Sequence, residues 1–354
     1  MIEIDGSFGE GGGQILRTAL ALAAVTKNSC RVFNIRKSRP KPGLAVQHLL
    51  GIQTLTKLSD GRLEGDFLGS EEVRFYPSAK NLNKETKNEP LYLKIETAGS
   101  ITLLLQCLIL PALFSDKPTK VDIDGGATDT FFSPTVDYFC HCFLRILEKM
   151  NGKIDVNVTR RGYYPEGRAK IEITIYPSKL KNLDLLEKGT LKKILVISGS
   201  SEFLKTKKVA ERQIAGVREI LGELKLPIEE KVEYYQTQCP GSQICLIAEF
   251  ENTIIGVDNL GRAGKRAEEI GREAALSLLE EQKSNACLDR HLSDQILPYL
   301  AVIPEKSQIT VSEITRHCQT NIWVIEKFLN GRFKTKNNLI SWTPNKKSAF
   351  RQIS

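Results

Sequence analysis

The stretch from Asp5 to Arg17, DGSFGEGGGQILR, gathers Gly6, Gly9, Gly11, Gly12 and Gly13 around one acid, Glu10. Glycine adopts left-handed backbone conformations without penalty and admits close approach of another group, so a cluster this dense dictates a tight, irregular turn. Ile2 to Asp5 reads as a short strand entering that turn. Residues 14–26 leave it as a helix, with Ile15, Leu16, Ala19, Leu22 and Ala23 on one face. No lysine follows the glycines as a P-loop requires, and GxGxxG is absent. Two readings therefore stand side by side. One is a purely conformational turn. The other is a ligand loop, in which glycines let an anion reach the helix N-terminus. In that second reading Glu10 would repel the anion unless a cation lay between them, which points to Mg²⁺ or Mn²⁺. Arg17, one turn into the helix, is within reach of a phosphate.

The strand, small-residue turn and apolar helix recur. LYLKIE, TAGS and ITLLLQCLILPALF follow one another, then KVDIDGG and the helical SPTVDYFCHCFLRILEKM. KIDVNVTRRGYYPEGRAKIEITIYPS reads as a strand pair around an arginine-rich turn, and DRHLSDQILPYLAVIP again opens an apolar helix from a polar turn. QILR at Gln14 and QILP at Gln295 take the same place in this pattern, which suggests an internal repeat of βαβ character. From about Leu183 to Gln282 the character changes to long charged helices, TKKVAERQIAGVREILGEL and KRAEEIGREAALSLLEEQ, among strands. The expectation is an α+β protein with α/β repeats: a discontinuous large domain over 1–182 and 283–354, and a smaller α+β domain inserted at 183–282.

Fifty basic against 42 acidic residues leave a net charge of +8, which suits either a lysine-rich solvated surface or a polyanion partner. Arg36, Lys37, Arg39 and Lys41 crowd a turn fixed by Pro40 and Pro42, and Arg160-Arg161-Gly162 carries Tyr163 and Tyr164, an interleaving that suits single-stranded RNA ends or an ordinary hairpin. None of the eight cysteines forms a CxxC pair, and Cys140-His141-Cys142 lacks the second half of a zinc site. Of the four histidines, His141 lies in an apolar helix and His317 just before one, positions where a structural role is the ordinary expectation. The N-terminus lacks a signal-peptide pattern and the apolar runs are short for a membrane span, so a soluble, cytoplasmic protein without membrane association is expected.

Taken in order, DGSFGEGGGQILR, RPKPGLAVQHL, AGSITLLLQ, DGGATDTFFSPTVDYF, RRGYYPEG, HLSDQ and RHCQTNIWVIEKFL closely resemble the RNA 3'-terminal phosphate cyclases across nearly the whole chain. The resemblance implies an enolpyruvyl-transferase-like architecture and ATP-dependent conversion of an RNA 3'-phosphate to a 2',3'-cyclic phosphate, with AMP and pyrophosphate released. It makes His317, in the H-x-x-T-N segment, the nucleophile that accepts AMP, and Glu10 the ligand of Mg²⁺ or Mn²⁺. It assigns Arg17, Arg36, Arg39, Gln47 and Gln106 to the phosphates of ATP, and Pro134, Tyr138 and His291 to the adenine, with Asp294 nearby and His48 less firmly placed. The partners it implies are RNA with a 3'-phosphate end and ATP; a homo-oligomer is left open. Two departures stand out. Gly167-Arg168-Ala169 replaces an unbroken glycine triplet, and GGATD has one residue more than the usual GGTD, for which a local bulge is expected. A ribosome-biogenesis branch of the same family lacks the histidine, so His317 argues for the catalytic branch. Enolpyruvyl transferases need no adenylated histidine, and a plain RNA-binding module would not explain Glu10 beside phosphate-gripping arginines.

Overall fold

A computed structural model describes residues 1–79, 82, 89–224 and 227–345. The chain opens with β1 (Ile2–Asp5), α1 (Gly13–Thr26), β2 (Cys30–Phe33), α2 (Val46–Leu58), β3 (Arg62–Glu64) and β4 (Val73–Tyr76). These strands form a sheet in the order β1-β2-β4-β3, in which only β1 and β2 are parallel. The sequence then repeats the plan: β5 (Leu91–Ser100), α3 (Ile101–Leu113), β6 (Thr119–Ala127), a helical segment, β7 (Lys153–Arg160) and β8 (Lys170–Tyr176). The sheet order is β5-β6-β8-β7, again with only the first pair parallel. The helical segment runs as α4 (Val136–Tyr138), a π-helical stretch at Phe139–Phe143 and α5 (Leu144–Lys149), so Cys140-His141-Cys142 lies in the widened turn.

A third unit starts with β9 (Asp184–Leu185) but does not continue at once. Between comes a different block: β10 (Leu191–Ser201), α6 (Val209–Leu221), β11 (Ile228–Tyr235), β12 (Ser242–Phe250), β13 (Ile254–Leu260) and α7 (Ala267–Lys283). Only then do α8 (Arg290–Ala301), β14 (Ser307–Thr310), α9 (Arg316–Phe328), β15 (Gly331–Lys336) and β16 (Leu339–Pro344) complete the sheet β9-β14-β16-β15. Its pairing rule is the same: β9 and β14 are parallel, the others antiparallel. A parallel first pair needs a crossover helix, and α1, α3 and α8 serve as those crossovers.

The inserted sheet explains why its strands read as continuous apolar runs. Ile194, Val196, Ile244 and Leu246 join α6 and α7 in one core, whereas Leu195, Ile197, Cys245 and Ile247 belong to the main core. A sheet buried on both faces needs apolar residues at every position rather than every second one. Among the described residues no helix is long and apolar enough to cross a membrane.

The structure corrects three sequence expectations. TAGS is not a turn; it is the end of β5, which carries three extra residues where Ile95 pairs Gly125 and Ser100 pairs Ala127. The irregularity beside GGATD is thus in the partner strand. QILR and QILP fall on equivalent crossover helices but not at equivalent places, since Gln14 is the second residue of α1 and Gln295 the sixth of α8. His317 sits inside the first turn of α9, whose N-cap Thr315 accepts a hydrogen bond from Cys318 N at 3.1 Å.

Candidate functional site

Every residue that the family resemblance assigns to the site lines one cavity of about 640 Å³. Glu10 comes from the glycine loop, Arg17 from α1, Arg36 and Arg39 from the basic turn, Gln47 from α2 and Gln106 from α3. Pro134 and Tyr138 come from the segment entering α4, His291 and Asp294 from α8, and His317 from α9. Crossover helices of all three units therefore contribute.

The glycine loop is shaped by its backbone. Gly9 and Gly11 lie at φ +56° and +60°, in the left-handed region. Gly9 is also pressed against α9, where a Cβ would overlap Thr320 Oγ1. That oxygen accepts a hydrogen bond from Glu10 N at 3.3 Å. Next to it Phe8 stacks on Trp323, ring centroids 4.1 Å apart at 17°. The N-cap of α1 is Gly12, which supplies no side-chain cap, so the first N–H groups of α1 are left for another acceptor. His48 packs against Gly13, and its Nδ1 accepts a hydrogen bond from Ala45 N at 3.3 Å. Burial, helped by the charges of Arg17 and Arg36, pulls its pKa down to about 3, so it is neutral.

His317 has one well-defined partner. Its Nδ1 lies 2.6 Å from Gln14 Oε1, while Gln14 Nε2 donates to Asp294 Oδ2. With Asp294 ionised, its carboxylate accepts only from the NH₂ end of the amide, and the carbonyl end then faces histidine. In that state a neutral histidine carries its proton on Nδ1, leaving Nε2 with the free lone pair. Burial lowers the His317 pKa below the ordinary value, Glu10 opposing and Arg17 reinforcing the shift. Burial raises Asp294 to about 7, a shift that the charge of Arg17 and the hydrogen bond from Gln14 only partly offset.

The basic side chains are held at one end and free at the other. Arg17 Nε donates to Gln106 Oε1 at 3.2 Å, and burial lowers its pKa to about 10, which leaves it charged. Arg36, at φ +53°, donates through Nη1 to Gly43 O at 2.8 Å. Arg39 Nη2 lies 3.8 Å from Glu10 Oε1. Gln47 Oε1 accepts from Ser100 N at 3.0 Å. Tyr138 is buried and donates its hydroxyl to Asp289 Oδ1 at 2.6 Å, whereas His291 is exposed.

The sequence reading missed Gln14, Thr320 and Asn321. His317, Thr320 and Asn321 are spaced i, i+3, i+4, one helical face. That face docks on α1 and α8: Asn321 Oδ1 accepts from Thr18 Oγ1 at 2.9 Å and its Nδ2 donates to Asp294 O at 2.8 Å. The second basic turn also differs from expectation. Arg161 is buried in ion pairs with Asp129, at 3.3 Å, and Asp137, and Tyr163 is buried with its hydroxyl on Gln243; of that group, Tyr164 is exposed.

The family described as RTC, RNA 3'-terminal phosphate cyclase, matches residues 8–335. The chain is 43% identical over 332 residues to the RNA 3'-terminal phosphate cyclase of Sulfurisphaera tokodaii, covering 93% of this chain and 94% of that one. It is 42% identical over 340 residues to the protein of that name from Pyrococcus furiosus, covering 96% of each. Against the Archaeoglobus fulgidus protein of the same name it is 40% identical over 343 residues, covering 96% and 99%. Likeness of this extent, over a cavity that gathers residues from both ends of the sequence, leaves one conclusion: the chain belongs to the RNA 3'-terminal phosphate cyclase family.

Proposed function

We propose that this protein is an ATP-dependent RNA 3'-terminal phosphate cyclase that works through a covalent AMP adduct on His317. The supporting observation is the 2.6 Å contact from His317 Nδ1 to Gln14, in a cavity shared with Arg17, Arg36 and Arg39. In this reading His317 Nε2 attacks the α-phosphorus of ATP and pyrophosphate leaves. Arg17, Arg36 and Arg39 hold the phosphates, and the free N–H groups of α1 add a positive pole. Gln14 takes the Nδ1 proton's hydrogen bond throughout, so the ring keeps its nucleophilic tautomer as positive charge develops. The RNA 3'-phosphate then takes AMP from histidine, and the neighbouring 2'-hydroxyl attacks the activated phosphorus and expels AMP. Ring closure is intramolecular, so proximity supplies much of its rate.

A divalent metal fits the donor set. Among the described residues no group of three or more His, Cys, Asp or Glu side chains is placed to hold one. Glu10 offers a single carboxylate, which suits Mg²⁺ or Mn²⁺, ions that complete their shell with water and substrate phosphate. Bound there, the metal would neutralise charge on the phosphate oxygens. Pro134 and His291 would flank the adenine, with buried Tyr138 behind them. We further read 1–182 with 283–354 as a large catalytic unit of enolpyruvyl-transferase-like architecture, and 183–282 as a smaller inserted one.

Incubation with α-labelled ATP and a divalent metal tests the proposal. Acid-labile, base-stable label on the protein is expected, absent in His317→Ala and discharged by RNA bearing a 3'-phosphate. Label that survives in His317→Ala would move the nucleophile elsewhere, and no label on the wild-type protein would favour a binding-only member of the family.

A further inference from the structure

The turn between β6 and α4 carries two phenylalanines at the cavity mouth, and Phe132 stands out there. Its side chain is 103% exposed, and its φ is +63°, a conformation that bulky side chains rarely adopt. The turn is not loose. Ser133 Oγ donates to Thr130 O at 2.8 Å, Thr102 Oγ1 donates to Pro134 O at 2.8 Å, and Thr135 N donates to Asp258 Oδ2 at 2.6 Å. An unfavourable backbone angle held by one bond within the turn and two anchors outside it, with an apolar ring aimed at water, contributes nothing to the core. Strain of this kind at an exposed apolar ring raises the question of a ligand there.

The neighbours indicate what kind of ligand. Phe131, 37% exposed, is flanked edge-on by Tyr164 at 6.4 Å and 69°, and the guanidinium of Arg262 lies 5.7 Å from its ring. Tyr164 is itself 60% exposed. Flat aromatic faces interleaved with arginine, beside a cavity holding three further arginines, match a nucleobase on a phosphorylated strand.

We propose that the Phe131–Phe132 tip, with Tyr164 and Arg262, is the platform on which the 3'-terminal nucleobase of the RNA stacks while its phosphate enters the cavity. The proposal rests on the cyclase reading above. Every base presents a flat face, so the platform grips the end with little sequence preference. That leaves Pro134 and His291 for the adenine of ATP.

The test uses Phe132→Ala, with Phe132→Gly to remove backbone strain and Phe132→Trp to restore a flat ring. The expected result is a KM for 3'-phosphorylated RNA raised about tenfold in the Ala and Gly variants and restored in Trp, with adenylylation by ATP alone within about twofold of wild type. RNA whose last nucleoside lacks its base should bind wild type and Phe132→Ala alike. A 2-aminopurine at the RNA 3' end should be quenched by wild type and not by Phe132→Ala. Unchanged RNA KM, or equal loss with and without the base, overturns the platform. A matching rise in the KM for ATP would assign the tip to adenine instead. An altered oligomeric state with constant RNA binding would assign it to a protein contact, and the proposal falls. Absence of label on the wild-type protein would sink the cyclase reading alone, because the quenching measurement needs no turnover.

Discussion

Replacing Gln14 by alanine should slow adenylylation of His317 without abolishing ATP binding. Gln14 is buried and bridges His317 Nδ1 to Asp294. Alanine removes both bonds and leaves two partly buried polar partners unmatched, each worth about 1–3 kcal/mol. The imidazole is then free to carry its proton on Nε2, the atom that attacks in the proposed reaction. A loss of about 1.4–2.8 kcal/mol from the transition state corresponds to roughly 10- to 100-fold in rate. The assay is single-turnover incorporation of α-labelled ATP at saturating nucleotide, with nucleotide affinity measured separately. Gln14→Glu gives the complementary reading. A carboxylate favours the charged imidazolium, so the His317 pKa rises and the neutral nucleophile forms only at higher pH. Its acid limb should therefore move to higher pH than that of the wild type. A Gln14→Ala protein with wild-type rate and wild-type pH profile would refute the relay.

Three shorter predictions follow from the same geometry. Because burial lowers the His317 pKa, adenylylation should climb with pH and level off below pH 6.5; an inflection above that value in a pH–rate profile would contradict the buried neutral ring. Gly9→Ala combines a left-handed φ with overlap against Thr320, so a thermal melt should show a loss of at least about 1–2 kcal/mol, with labelling impaired as well; a neutral result would mean that the loop is not docked on α9. Arg168 sits at φ +62° beside Gly167, and its structural contact is a backbone carbonyl that accepts from Arg160 Nε at 2.5 Å. Arg168→Gly should accordingly raise unfolding stability by roughly 1 kcal/mol in denaturant titration.

Much of the site was legible because its residues come in short local signatures. Arg36 and Arg39 sit in a turn stiffened by prolines, and Glu10 is conspicuous among glycines. Gln14 was not legible, since an amide in the first turn of an apolar helix carries no sign that its partners lie about three hundred residues away. Arg161 misled for a related reason. A basic pair in a turn looks solvated until Asp129 and Asp137, remote in sequence, are seen to enclose it. The three-unit plan was visible only in part, because strands as short as Asp184–Leu185 leave no periodicity, and the long block after it hides the link from β9 to α8.

The stacking of Phe8 on Trp323 and the seating of Gly9 against Thr320 join two ends of the chain. Contacts of such long sequence separation are slow to form, since loop closure must be completed before they return any energy. On the ribosome the glycine loop emerges early, and the helix bearing His317 follows about three hundred residues later. Until α9 docks, the loop lacks the Thr320 surface against which Gly9 and Glu10 are seated. In the reading proposed above, a nascent chain would therefore be unable to consume ATP until the two ends have met.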